Sequence, residues 1–143
     1  MIDSLKKLVD DLNLNNRVFF TRRVTDEELI EFYNIMDVIA LLSTKANGEG
    51  EGLPLGLIEA SACEVPILAG NEDGSYEAIS DKYPNGFRVK PMDIDEIAEK
   101  IQFYLDNPEI KKQHGKNGRK FVIEEFEYSK FREKIGTILK DNL

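Results

Sequence analysis

Apolar residues recur along this chain with two alternating spacings. Ile2, Leu5, Leu8, Val9 and Leu12 fall at helical intervals and predict an opening amphipathic helix. Asn13 to Asn16 breaks the pattern. Arg17-Val18-Phe19-Phe20-Thr21 is a short β-branched and aromatic run, which predicts a strand. Thr25-Asp26-Glu27-Glu28 has the form of a capping box, and Leu29, Phe32 and Tyr33 then supply the apolar face of a second helix. Asp37-Val38-Ile39-Ala40-Leu41-Leu42 is almost wholly apolar after its first residue, as a strand buried on both faces should be.

A polar, glycine-rich loop runs from Ser43 to Gly52. A helix is predicted from about Leu53 to Cys63, with Pro54 tolerated in its first turn. Val65 to Ala69 reads as another buried strand, and Ser75 to Ile79 as a short helix. Phe87-Arg88-Val89 follows a Pro84-Asn85-Gly86 turn and predicts a third strand. A helix opens at Asp93 and ends at Asn107-Pro108; two more are expected over 108–125 and 129–140. Strands separated by helices imply βαβ units and a parallel sheet, so the fold class is α/β. Ligands of such sheets usually sit beyond the carboxyl ends of the strands. The loop after Leu42 lies at such an end.

The chain has 143 residues, 41% of them apolar and 32% charged, which fits one globular domain over 1–143. A domain of this size buries roughly 70% of the surface its unfolded chain exposes. Its formal net charge of −8 disfavours nucleic acid and anionic lipid as broad-surface partners. No apolar run approaches the roughly 20 residues of a transmembrane segment. The start, Met1 to Lys7, lacks the apolar core of a signal peptide. With one cysteine, Cys63, this points to a cytoplasmic location. Cys63 reads as a small core residue and His114 as an exposed helix residue. One His and one Cys do not make a zinc site; Glu49 and Glu51 could attract a divalent ion, but two loop carboxylates are weak evidence for one.

The chemistry concentrates in Glu51-Gly52-Leu53-Pro54-Leu55-Gly56-Leu57-Ile58-Glu59. A glycine-rich loop leads into a helix N-terminus, where unpaired N–H groups and the helix dipole favour phosphate. Gly52 lets the backbone come close to a ligand. Carboxylates at Glu51 and Glu59 can each accept hydrogen bonds from neighbouring sugar hydroxyls. The set suits a ligand with phosphate in the middle and sugars at both ends.

This stretch resembles the donor-binding region of retaining glycosyltransferases of family 4, also called group 1, which have the GT-B architecture. Their signature of two Glu separated by seven residues matches Glu51 and Glu59. The resemblance continues through Glu59-Ala60-Ser61-Ala62-Cys63-Glu64-Val65-Pro66-Ile67, Gly74-Ser75-Tyr76-Glu77 and Gly86 to Asp93. It extends back to Arg17-Val18-Phe19-Phe20 and Asp37 to Ser43, and forward to Phe126-Glu127-Tyr128. It implies a Rossmann-like parallel sheet flanked by helices, a partial C-terminal lobe of a GT-B glycosyltransferase. It implies that Glu51 is catalytic, contacting the transferred sugar, and that Glu59 holds the ribose hydroxyls. The backbone at Gly52, Leu53, Pro54 and Leu55 would approach the diphosphate or the sugar. The donor substrate would be a nucleoside-diphosphate sugar, with no cofactor and no metal.

The pattern departs from the family at Arg22, where glycine is usual near the nucleotide base. The lobe's opening strand, with its diphosphate-binding Arg and Lys, has no counterpart, and neither does the acceptor-binding lobe. The chain alone is therefore expected to be inactive. Two other readings stay open: a non-catalytic remnant that pairs with a separate N-terminal lobe, and a structural fragment that self-associates through an unpaired sheet edge.

Overall fold

The computed structural model describes residues 2–45, 50 and 52–141. Helix α1 (Ile2–Asp11) is followed by α2 (Asp26–Ile35), β1 (Ile39–Leu41), α3 (Leu55–Ala62) and β2 (Ile67–Gly70). A 3₁₀ turn (Gly74–Ala78), β3 (Gly86–Val89), α4 (Ile94–Asp106), α5 (Pro108–Glu125) and α6 (Tyr128–Asp141) complete the order. The three strands form one parallel sheet in the order β1-β2-β3, with Ile39 opposite Ile67 and Ile67 opposite Gly86.

Local chemistry sets most boundaries. Thr25 and Glu28 form the expected capping box: Thr25 Oγ1 accepts from the Glu28 N–H, and Glu28 Oε2 accepts from the Thr25 N–H. Asp93 caps α4 by accepting from the Glu96 N–H. Two helices end in Schellman motifs without glycine. At α1, Asn13 takes φ 55°, with Asn13 N–H bonded to Asp10 O and Leu14 N–H to Val9 O. At α3, Glu64 takes φ 63°, with Glu64 N–H bonded to Ser61 O and Val65 N–H to Ala60 O.

Burial centres on α3 and β2. Leu57, Ile58, Ile67, Ala69, Ala78 and Ile79 make one core cluster, joined by Leu53, Ile39, Leu41, Phe121 and Val122. Tyr33, Ala60 and Val65 make a second between α2 and α3, joined by Leu29, Met36, Ile39 and Cys63. Every residue of β2 is buried, because strands flank it on both sides.

Four local expectations change. Arg17 to Thr21 is not a strand: no strand pairs with it among the described residues, and Phe19 is 79% exposed. A β-prone run without a ladder partner stays irregular. The strand predicted over 37–42 shortens to Ile39–Leu41 and is not buried on both faces, since β1 is an edge strand with Ala40 exposed. His114 is half-buried rather than exposed. It packs with Phe87 and Tyr104, and its Nδ1 lies 2.9 Å from the Tyr104 hydroxyl. Pro54 is the N-cap of α3 and not part of its first turn.

Candidate functional site

The carboxyl ends of the three strands converge. Asn71, just beyond β2, donates its N–H to Val89 O of β3. A Cβ built on Gly70 would lie 3.0 Å from Pro91 and 3.1 Å from the carbonyl oxygen of Ser43, so the chain segments leaving β1, β2 and β3 meet there. The loop from β1 returns to the same place. A Cβ on Gly50 would lie 2.8 Å from the Asp73 Cβ and 3.1 Å from the Lys45 side chain. Asp73 is buried and accepts a hydrogen bond from the Ser75 N–H, which fixes the start of the 3₁₀ turn.

That turn is held from beneath. Asn85, wholly buried, donates to Ala78 O and accepts from the Ser80 N–H. Arg88 donates to Tyr76 O and Ile79 O and pairs with Asp81 at 2.7 Å. The wall beside the α3 entrance is thus tied to β3 by side chains as well as by the sheet.

The predicted site residues take different places at this entrance. Gly52 is exposed, and a Cβ there would meet nothing within 4 Å. The space beside its backbone is open. Leu53 packs against the first core cluster and Pro54 is buried, so their side chains anchor the chain where it enters α3. Leu55 is 69% exposed on the first turn of α3, and Glu59 is exposed one turn later on the same side. Glu51 lies outside the described residues, as does Glu49. Leu55 and Glu59 are thus exposed on one side of α3, and Gly52 is exposed two residues before its N-cap, Pro54.

Glu59 also rims a groove of about 400 Å³ between α2 and α3, lined by Asp26, Leu29, Ile30, Tyr33, Ala62 and Cys63 as well. Glu59 Oε2 accepts a hydrogen bond from the Tyr33 hydroxyl at 3.0 Å. Burial pushes the Tyr33 phenol up to about 12, with the Glu59 hydrogen bond and charge adding to it. Helical spacing puts Tyr33 on the apolar face of α2; its hydroxyl contact across 26 positions has no local signal. Lys45 is exposed beside Gly50, and Arg22 and Arg23 are exposed in the irregular stretch before α2. No group of three or more His, Cys, Asp or Glu among the described residues could hold a metal ion.

Comparison with known proteins settles the family. The family model described as glycosyl transferases group 1 matches residues 2–121. This chain belongs to that family. A mannosyltransferase of Mycolicibacterium smegmatis, GDP-mannose-dependent and acting on phosphatidylinositol monomannoside, is 31% identical over 130 residues, covering 89% of this chain and 34% of the relative. The sucrose-phosphate synthase structure from Thermosynechococcus elongatus superposes with a TM-score of 0.81 at 28% identity, covering 96% of this chain and 33% of that one. The structure of HepE from Anabaena in complex with UDP superposes with a TM-score of 0.85 at 22% identity, covering 98% and 36%. The group 1 chain described here thus spans about a third of the length of the proteins it matches. Its parallel sheet and flanking helices are those of a GT-B C-terminal domain. Among the described residues no helix is long and apolar enough to cross a membrane.

Proposed function

We propose that this chain, as one unit over 1–143, is the nucleotide-sugar donor-binding portion of a retaining glycosyltransferase. The parent reaction moves a hexose from a nucleoside-diphosphate sugar to an acceptor hydroxyl in glycan or glycolipid synthesis. The observation that supports this is the open face at the start of α3, where Gly52 has free space beside it and Glu59 stands one turn beyond an exposed first turn.

In this reading the diphosphate lies against the backbone of Gly52 to Leu55, where unpaired N–H groups and the helix dipole stabilise negative charge. Glu59 accepts hydrogen bonds from the ribose hydroxyls. Glu51 faces the transferred sugar and stabilises positive charge that develops at the reacting carbon. The leaving diphosphate is stabilised by the helix terminus without need of a metal. The matched relatives are named for GDP-mannose in one case and crystallised with UDP in another, so the base is left open.

The acceptor comes from elsewhere. Holding two reactants in register supplies roughly 7–11 kcal/mol of a barrier. Without an acceptor lobe the chain has no appreciable transferase turnover. Ligand-observed NMR with UDP-, GDP- and ADP-sugars tests the donor reading. One of them binds saturably and is competed by its free nucleotide, and Glu59→Ala weakens it about 10- to 100-fold, as expected for lost hydrogen bonds to a charged acceptor. Unchanged affinity in that variant removes Glu59 from the ribose site. Robust transfer by the purified chain alone would contradict the division of labour.

A further inference from the structure

The donor reading assigns work to Glu59 but leaves open what aims it. A glutamate on an exposed helix face has three free torsions, and fixing them costs rotamer entropy. An unrestrained carboxylate would meet that cost at each binding event.

Tyr33 is placed to meet it in advance. Its ring is 6% exposed and sits in the cluster with Ala60, Val65 and Met36. A tyrosine has two side-chain torsions, and here packing fixes both. Its hydroxyl crosses from α2 to α3 and donates to Glu59 Oε2 at 3.0 Å. Gly56 lies beside the crossing: a Cβ there would be in ordinary van der Waals contact with the hydroxyl, at 3.7 Å. Among the described residues Oε1 of Glu59 has no hydrogen-bond partner, so one oxygen is anchored and the other is left for a ligand.

We propose that Tyr33 is a positioning residue for Glu59: its buried hydroxyl anchors one carboxylate oxygen and so presents the other to the ribose of a nucleotide. The inference rests on the donor reading of Glu59. The phenol, held up to about 12, keeps its proton at neutral pH and remains the donor.

Tyr33→Phe removes the hydroxyl and keeps the ring. With UDP and GDP as probes, the variant binds the preferred nucleotide about tenfold more weakly, while its melting temperature stays within a few degrees of wild type. The loss vanishes against the 2′,3′-dideoxynucleotide, which has no ribose hydroxyls, and it vanishes in a Glu59→Ala background. A purely structural role would weaken both ligands in both backgrounds. If Glu59→Ala weakens binding and Tyr33→Phe does not, the positioning role is wrong and the donor reading stands. If Glu59→Ala has no effect, or wild type binds neither nucleotide, the donor reading fails and takes the inference with it. The side-chain carbon couplings of Glu59 give a readout that needs no ligand. They report one rotamer in wild type and averaging in Tyr33→Phe; averaging already present in wild type overturns the proposal.

Discussion

Gly115 is the point where α5 touches the end of α3. A Cβ there would collide with the carbonyl of Glu64, and one on Gly118 would lie 3.2 Å from the Ser61 side chain. Both glycines are buried. They let α5 lie close over α3 and so hold the helix that carries Glu59. Gly115→Ala forces a backbone shift and costs about 1–3 kcal/mol, read as a fall of several degrees in melting temperature. Gly136→Ala on the same scan gives a rise, because its Cβ has open space and alanine favours helix by about 0.5–1 kcal/mol. Equal effects at both positions would refute the close approach. His114 supplies the pH-dependent counterpart. Burial lowers its basicity, so the folded state holds it neutral, with Tyr104 placed to donate to Nδ1. The unfolded chain takes up the proton first as pH falls through about 6.5, and stability declines from there downward. Urea denaturation between pH 8 and pH 5 shows this slope, and His114→Gln flattens it.

At the scale of elements, the sequence was legible wherever local chemistry decides. The capping box at Thr25, the Asp93 cap, and the Asn107-Pro108 break mark helix ends through contacts within a few residues. The parallel sheet was legible too, because apolar runs such as Ile67-Leu68-Ala69 suit a strand with neighbours on both sides. What the pattern could not show is pairing. Arg17 to Thr21 has the composition of a strand, but a strand exists only against a partner. For the same reason the burial expected around Ala40 is absent from an edge strand. The site was half legible. Gly52 and Glu59 stand out by residue type and spacing, and both are exposed, Gly52 before α3 and Glu59 in its second turn. The inward turn of Leu53 and Pro54, and the Tyr33 contact with Glu59, come from packing between distant segments and leave no local trace.

The molecule as a whole carries apolar surface at both ends. Helix α1 has no buried residue, and Ile2, Leu5, Leu8 and Leu12 are each about half exposed. On α6, Tyr128, Phe131, Ile138 and Leu139 are all more than half exposed. Contiguous apolar faces of this kind mark interaction surfaces. The chain spans about a third of the relatives it matches, and these faces suit packing against further protein. Alone, the chain is expected to self-associate: sedimentation equilibrium gives an average mass that rises with concentration, and Leu5→Lys together with Phe131→Lys returns it toward the 16.3 kDa monomer. A constant monomer mass across concentrations would contradict this.

In the proposed function the α3 entrance binds a nucleotide diphosphate. A titration of the ¹⁵N-labelled chain with UDP and GDP, followed amide by amide, tests it most directly. Saturable shifts, largest at Gly52, Leu53, Leu55 and Gly56 and extending to Glu59, are expected for at least one of the two nucleotides. Shifts confined to the opposite ends of the strands, or none at millimolar ligand, would contradict it.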